Sequence, residues 1–117
     1  MEINEFIDEL KKINIELSEE QISQLEQYYN LVIEKNKVMN LTGITNKKEF
    51  YLKHFYDSLT LNKIVNLKEI GSLCDIGSGA GFPGIVLKIA FPHLKITLVD
   101  SLNKRIILML DKYLRII

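Results

Sequence analysis

Apolar residues recur at helical spacing through the first half of the chain. Ile3, Phe6, Leu10 and Ile13 form one stripe, since positions three and four apart share a helix face. Ser18-Glu19-Glu20-Gln21 holds the pieces of a capping box and predicts a second helix, with Ile22, Leu25, Tyr29 and Val32 turned inward. A third start lies at Asn46-Lys47-Lys48-Glu49, and the helix it launches is predicted to present Leu52, Phe55, Tyr56 and Leu59 to the core. Asn36 to Thr45, including Asn40-Leu41-Thr42-Gly43, reads as a polar connection between the second and third helices. The period changes after a break near Asn66 to Gly71. Strands beginning at Leu73 and Lys95, each followed by a helical stretch, predict a parallel sheet. The expected class is therefore α/β: a helical N-terminal segment over residues 1–68, then the first β-α-β-α of a doubly wound sheet over residues 69–117.

Two strands are few for an independent sheet. In residues 105–117 nine of thirteen side chains are apolar, the pattern of a helix that expects neighbours on several sides. Both features predict the opening part of a fuller domain, and an unpaired strand edge predicts self-association.

The passage from first strand to helix reads Asp75-Ile76-Gly77-Ser78-Gly79-Ala80-Gly81-Phe82-Pro83-Gly84. Gly77 and Gly79 let the backbone turn sharply and approach a ligand, and Gly81 allows close helix–strand packing. A dinucleotide fingerprint would place its third glycine at position 82, where the chain has Phe82, so a nicotinamide cofactor is disfavoured. An acid at the strand end before G-x-G-x-G fits S-adenosylmethionine, whose sulfonium charge Asp75 would balance through water or through the ligand's amino group. The second strand ends in Asp100, nineteen residues beyond Gly81, where an acid typically takes ribose hydroxyls. Phe82 reads equally well as a ligand contact or as a core aromatic in the first turn of the helix.

Fifteen basic and fifteen acidic residues cancel, but unevenly. Residues 1–34 carry two basic against nine acidic groups (net −7), residues 35–68 seven against two (net +5), and the remainder six against four (net +2). Lys35, Lys37, Lys47, Lys48 and Lys53 give the middle a basic face, although nothing in the net charge announces a nucleic-acid partner. The single cysteine, Cys74, excludes an internal disulfide and reads as a small buried core residue. An acidic start without a signal-peptide pattern, and apolar runs shorter than a membrane span, make a cytoplasmic protein with no membrane partner the expectation. Lys53, His54, Asp57 and Ser58 share one predicted helix, where they either line the ligand cleft and meet phosphate or hold the helical part against the α/β part. They make a poor hydrolytic triad, because one helical turn supplies neither converging geometry nor oxyanion donors. His54, His93 and Cys74 lack the spacing of a metal site.

Taken in order, Asn40-Leu41-Thr42, His54 with Asp57-Ser58-Leu59, the segment Asp75 to Gly84, and Asp100-Ser101-Leu102 with Lys104-Arg105 resemble the bacterial 16S ribosomal RNA guanine-N7 methyltransferases, the glucose-inhibited division protein B family. The likeness covers the whole chain but only about the first half of such an enzyme. It implies a Rossmann-like domain binding S-adenosyl-L-methionine, and 16S rRNA or the small ribosomal subunit as partner. It places the cofactor on Gly77 and Phe82, with Asp100 and Ser101 at the ribose end and Asp75 and Gly79 shaping the loop. Lys35 stands where the family usually has tryptophan, and Lys53 where it has arginine. The implied reaction is methylation at guanine N7, with this half inactive alone. The alternative is a noncatalytic cofactor- or RNA-binding module.

Overall fold

The structure, a computed structural model, describes residues 1–76 and 82–99. Helix α1 (Ile3–Lys11) buries Phe6 and Leu10, whereas Ile3 at its first turn stays exposed. Helix α2 (Glu19–Met39) starts on the predicted capping box: Ser18 Oγ accepts from the Gln21 N–H at 3.1 Å, and the Gln21 side chain accepts from the Ser18 N–H at 2.8 Å. Two of the first-turn donors are thereby satisfied reciprocally.

The expected connection from Asn36 is helical as far as Met39. The turn is made by Asn40 instead, in the left-handed region at φ 50°, a conformation asparagine tolerates better than most residues. Asn36 then accepts from the Thr42 N–H through Oδ1 at 2.8 Å, steering the chain out of the helix.

A third helical rod begins at α3 (Lys47–Phe50), where Asn46 Oδ1 accepts from the Glu49 N–H at 3.2 Å as its cap. It continues as a π-helical stretch (Tyr51–Tyr56), then α4 (Asp57–Leu59), and closes as a 3₁₀ turn (Thr60–Lys63). The wider i→i+5 winding changes which face is inward. Phe50, Tyr51, Phe55 and Leu59 are buried, and Leu52, expected in the core, is 41% exposed. An α-helical period predicts the wrong partner here because the π turn sets Phe50 and Phe55 on one side.

Strands β1 (Ser72–Ile76) and β2 (Lys95–Val99) pair in parallel from Ser72 opposite Lys95 to Ile76 opposite Val99, with α5 (Gly84–Ala90) crossing between them. Helix α5 packs on the sheet and on α2 and α4. Its Ile85, Val86, Leu87 and Ile89 join Leu25, Phe55 and Leu59 in one core that continues through both the helices and the sheet. Gln21 adds a polar tie, its Nε2 donating to the carbonyls of Ile89 and Ala90 at 2.9 and 3.2 Å, where the last turn of α5 has no internal partners.

Side chains alternate across a strand, so Leu73, Asp75, Ile96 and Leu98 turn toward α5 and the opposite row turns away. Cys74 lies in that outward row opposite Thr97 and is exposed, contrary to its expected burial. Ile76 and Val99, paired in the same row, are 80% and 45% exposed.

Candidate functional site

Asp75 sits at the end of β1 with 6% of its surface exposed, and its Oδ2 accepts from the Gly84 N–H at 2.9 Å. The strand end and the start of α5 are thus clasped together. A carboxylate acceptor makes this a charge-assisted bond, stronger than a neutral amide pair. Asp75 therefore ties the end of β1 to the start of α5. The clasp also depends on a glycine that the sequence reading had not singled out. A Cβ at Gly84 would stand 2.4 Å from Leu98 Cδ2, 2.9 Å from Asp75 Oδ2 and 3.2 Å from Asp75 Cβ. Its signal was present in the sequence, as a glycine immediately after a proline at a helix start. Gly84 thus makes a close helix–strand contact, and the expectation for Gly81 lies outside the described residues. Gly77, Gly79, Asp100 and Ser101, like Gly81, lie outside them.

Phe82 precedes α5, joined to Pro83 by a cis peptide bond, and is half-buried. It is therefore neither in the first helical turn nor wholly in the core. Three rings hold its inner edge: Tyr28 at 5.8 Å, Phe50 at 5.5 Å and Phe55 at 6.2 Å between centroids, all steeply inclined. Edge-to-face contacts of this kind each contribute on the order of 0.5–1.5 kcal/mol beyond area burial. Against one face lies the imidazole of His54, centroid at 4.4 Å and planes 3° apart.

His54 is fixed in turn by Thr42, whose Oγ1 is 2.8 Å from Nε2. That oxygen already accepts from the Ile44 N–H at 3.0 Å. We assign its hydroxyl proton to the bond with Nε2, which leaves the imidazole neutral with its proton on Nδ1. Burial lowers the pKa of His54, and the nearby Asp57 carboxylate opposes that effect. Ser58 Oγ donates to the His54 carbonyl, a bond within the helix rather than to the ring. No Ser–His relay is formed by these two side chains.

The four helix residues nevertheless do gather. Lys53, His54, Asp57 and Ser58 line an open cleft of ≈ 470 Å³ together with Leu61, Ile64, Phe82 and Pro83. That volume falls within the range common for small-molecule sites. The lysines are distributed differently. Lys47 reaches Glu26 at 2.5 Å and Lys48 reaches Glu2 at 2.8 Å, while Lys35 stands 3.9 Å from Glu34. Exposed pairs like the first two are worth only about 0–1 kcal/mol, so a phosphate can displace them.

Two parallel strands with a helix crossing between them, clasped by the strand-end acid beside an aromatic-lined cleft, define an α/β protein. Residues 21–114 match the family described as GidB, rRNA small subunit methyltransferase G, and the chain belongs to that family. It is 54% identical over 106 residues to the ribosomal RNA small subunit methyltransferase G of Bacillus velezensis, covering 91% of this chain and 44% of the relative. The proteins of the same name from Bacillus licheniformis and Bacillus subtilis are 55% and 53% identical over the same shares. The chain thus spans less than half the length of the curated relatives it matches. Among the described residues, no helix is long and apolar enough to cross a membrane.

Proposed function

We propose that this chain is the cofactor-binding part of an S-adenosyl-L-methionine-dependent methyltransferase acting on guanine N7 of 16S rRNA in the small ribosomal subunit, in the cytoplasm. The observation that carries the reading is the family match over residues 21–114. Residues 69–117 form the cofactor unit in this reading, and residues 1–68 the helical segment that backs it.

The described residues suit such a cofactor. Gly84 leaves room for the Asp75 clasp, and Phe82 offers a flat apolar wall directly after the glycine segment. When bound, S-adenosylmethionine supplies an electrophilic methyl group. Guanine N7 carries an in-plane lone pair, so the chain needs no general base, and neither Asp75 nor Asp100 is given that role. Positioning supplies the rate: holding donor and acceptor in line converts an encounter into an oriented reaction. Gly77 and Phe82 hold the cofactor, Asp100 and Ser101 meet its ribose, and Asp75 and Gly79 keep the loop in shape. Lys35, Lys37, Lys47, Lys48 and Lys53 attract RNA phosphate, an interaction that weakens with salt.

The share of the relatives' length that this chain spans favours a second reading, a noncatalytic cofactor- or RNA-binding module. Transfer of labelled methyl groups to small-subunit RNA separates the two, assayed on this chain alone and on this chain joined to the remaining part of the Bacillus subtilis relative. We expect turnover only in the joined protein. Failure of the joined protein, or tighter binding of NAD than of S-adenosylhomocysteine, refutes the methyltransferase reading. Alone, the chain is expected to self-associate through the edge of β1, which among the described residues pairs only with β2. A monodisperse monomer in sedimentation would exclude that.

A further inference from the structure

We propose that His54 is a positioning residue: locked by Thr42, its imidazole sets the plane of Phe82 and so the aromatic wall that the cleft offers to the cofactor. The inference rests on the cofactor reading for its consequence, but its structural half stands without a ligand. Among the described residues, Phe82 has three inclined rings beside it and a single parallel neighbour, His54. Steeply inclined rings restrain an aromatic ring's position, while a stacked one restrains its tilt. The imidazole can serve as a plate only if it is held itself, and Thr42 does this through Nε2. Thr42 is anchored twice, by its own N–H to Asn36 and by the Ile44 N–H to its hydroxyl. A continuous path thus leads from the end of α2 through the 40–45 turn to the residue that follows the glycine segment.

The charge state of the ring belongs to the same device. A protonated Nε2 would turn a donor toward the Thr42 hydroxyl, requiring that hydroxyl to give up its present bond. Among the described residues, the groups around the ring are Asp57 and Lys53 on its own rod, Phe50 one turn back, Thr42 from the turn and Phe82 with Pro83 from the α5 side. Of these only Asp57 and Lys53 carry charge, and both are exposed.

The test is proton NMR on the 117-residue chain from pH 5 to 8, with His93→Gln assigning the second histidine. His54 is expected to titrate below its ordinary value, and the Phe82 ring resonances to move with the same inflection. Thr42→Val should raise the His54 inflection and weaken S-adenosylhomocysteine binding by on the order of fivefold, the loss of one hydrogen bond. Thr42→Ser, which restores the hydroxyl, should return both. Phe82 resonances that ignore the His54 inflection, or a Thr42→Val variant unchanged in both measurements, overturn the proposal. If the unaltered chain binds no S-adenosylhomocysteine while Phe82 still follows His54, positioning stands and the cofactor assignment falls.

Discussion

Replacing Gly84 with alanine adds one methyl group at the tightest point between α5 and the sheet. The new Cβ would meet Leu98 Cδ2 at 2.4 Å and Asp75 Oδ2 at 2.9 Å. Leu98 is half-buried and its terminal methyl can swing aside, so that contact alone is tolerable. Asp75 cannot yield so cheaply, because the oxygen displaced is the one that accepts from the Gly84 N–H. Overpacking a close contact costs about 1–3 kcal/mol, and weakening a bond to a charged acceptor costs up to about 1.5–3 kcal/mol. Alanine's better helix propensity returns at most about 1 kcal/mol, and less at the first helical position than in an interior. The expected net is a loss of about 1–3 kcal/mol. Urea unfolding followed by circular dichroism would read it as a lower midpoint at unchanged slope. An alanine variant as stable as the parent would refute the clasp, since it would mean that strand end and helix start part without cost.

Gln21→Ala removes the return half of the capping box and the tie to the last turn of α5, and should cost about 1–2 kcal/mol in the same unfolding measurement; an unchanged midpoint would count against both bonds. His54 has a folded pKa lowered from 6.5, so the unfolded chain binds its proton more readily. Its contribution is present above about pH 6.5 and is lost as the pH falls through that value toward the folded pKa. The parent should therefore lose stability between pH 7 and 5 more steeply than His54→Phe, and parallel profiles would contradict the burial argument. Asp100→Ala in the joined protein should weaken S-adenosylhomocysteine binding by about 10–100-fold through loss of a carboxylate acceptor for ribose hydroxyls, measured by calorimetry. Equal affinities would remove Asp100 from the site.

Local rules determined much of this protein directly. Ser18 with Gln21 and Asn46 with Glu49 began helices as read, since capping requires only neighbours in the chain. Both strands and their parallel pairing followed from apolar runs separated by a glycine loop and a helix. The strand-end acid and the aromatic at position 82 likewise stood out in the sequence; in the structure Asp75 bonds the start of α5 and Phe82 lines the cleft. What sequence could not decide were matters set by partners distant along the chain. Leu52 left the core because the rod winds wider at Tyr51–Tyr56, a choice governed by how Phe50 and Phe55 pack against α2 and Phe82. Cys74 faces outward because α5 took the other face of the sheet, which alternation alone leaves open. The need for glycine at position 84 and the stacking of His54 on Phe82 also arise only when segments far apart are brought within van der Waals contact. Periodicity marks which residues can share a face, but the packing of one element on another decides which face is buried and which side chains meet there.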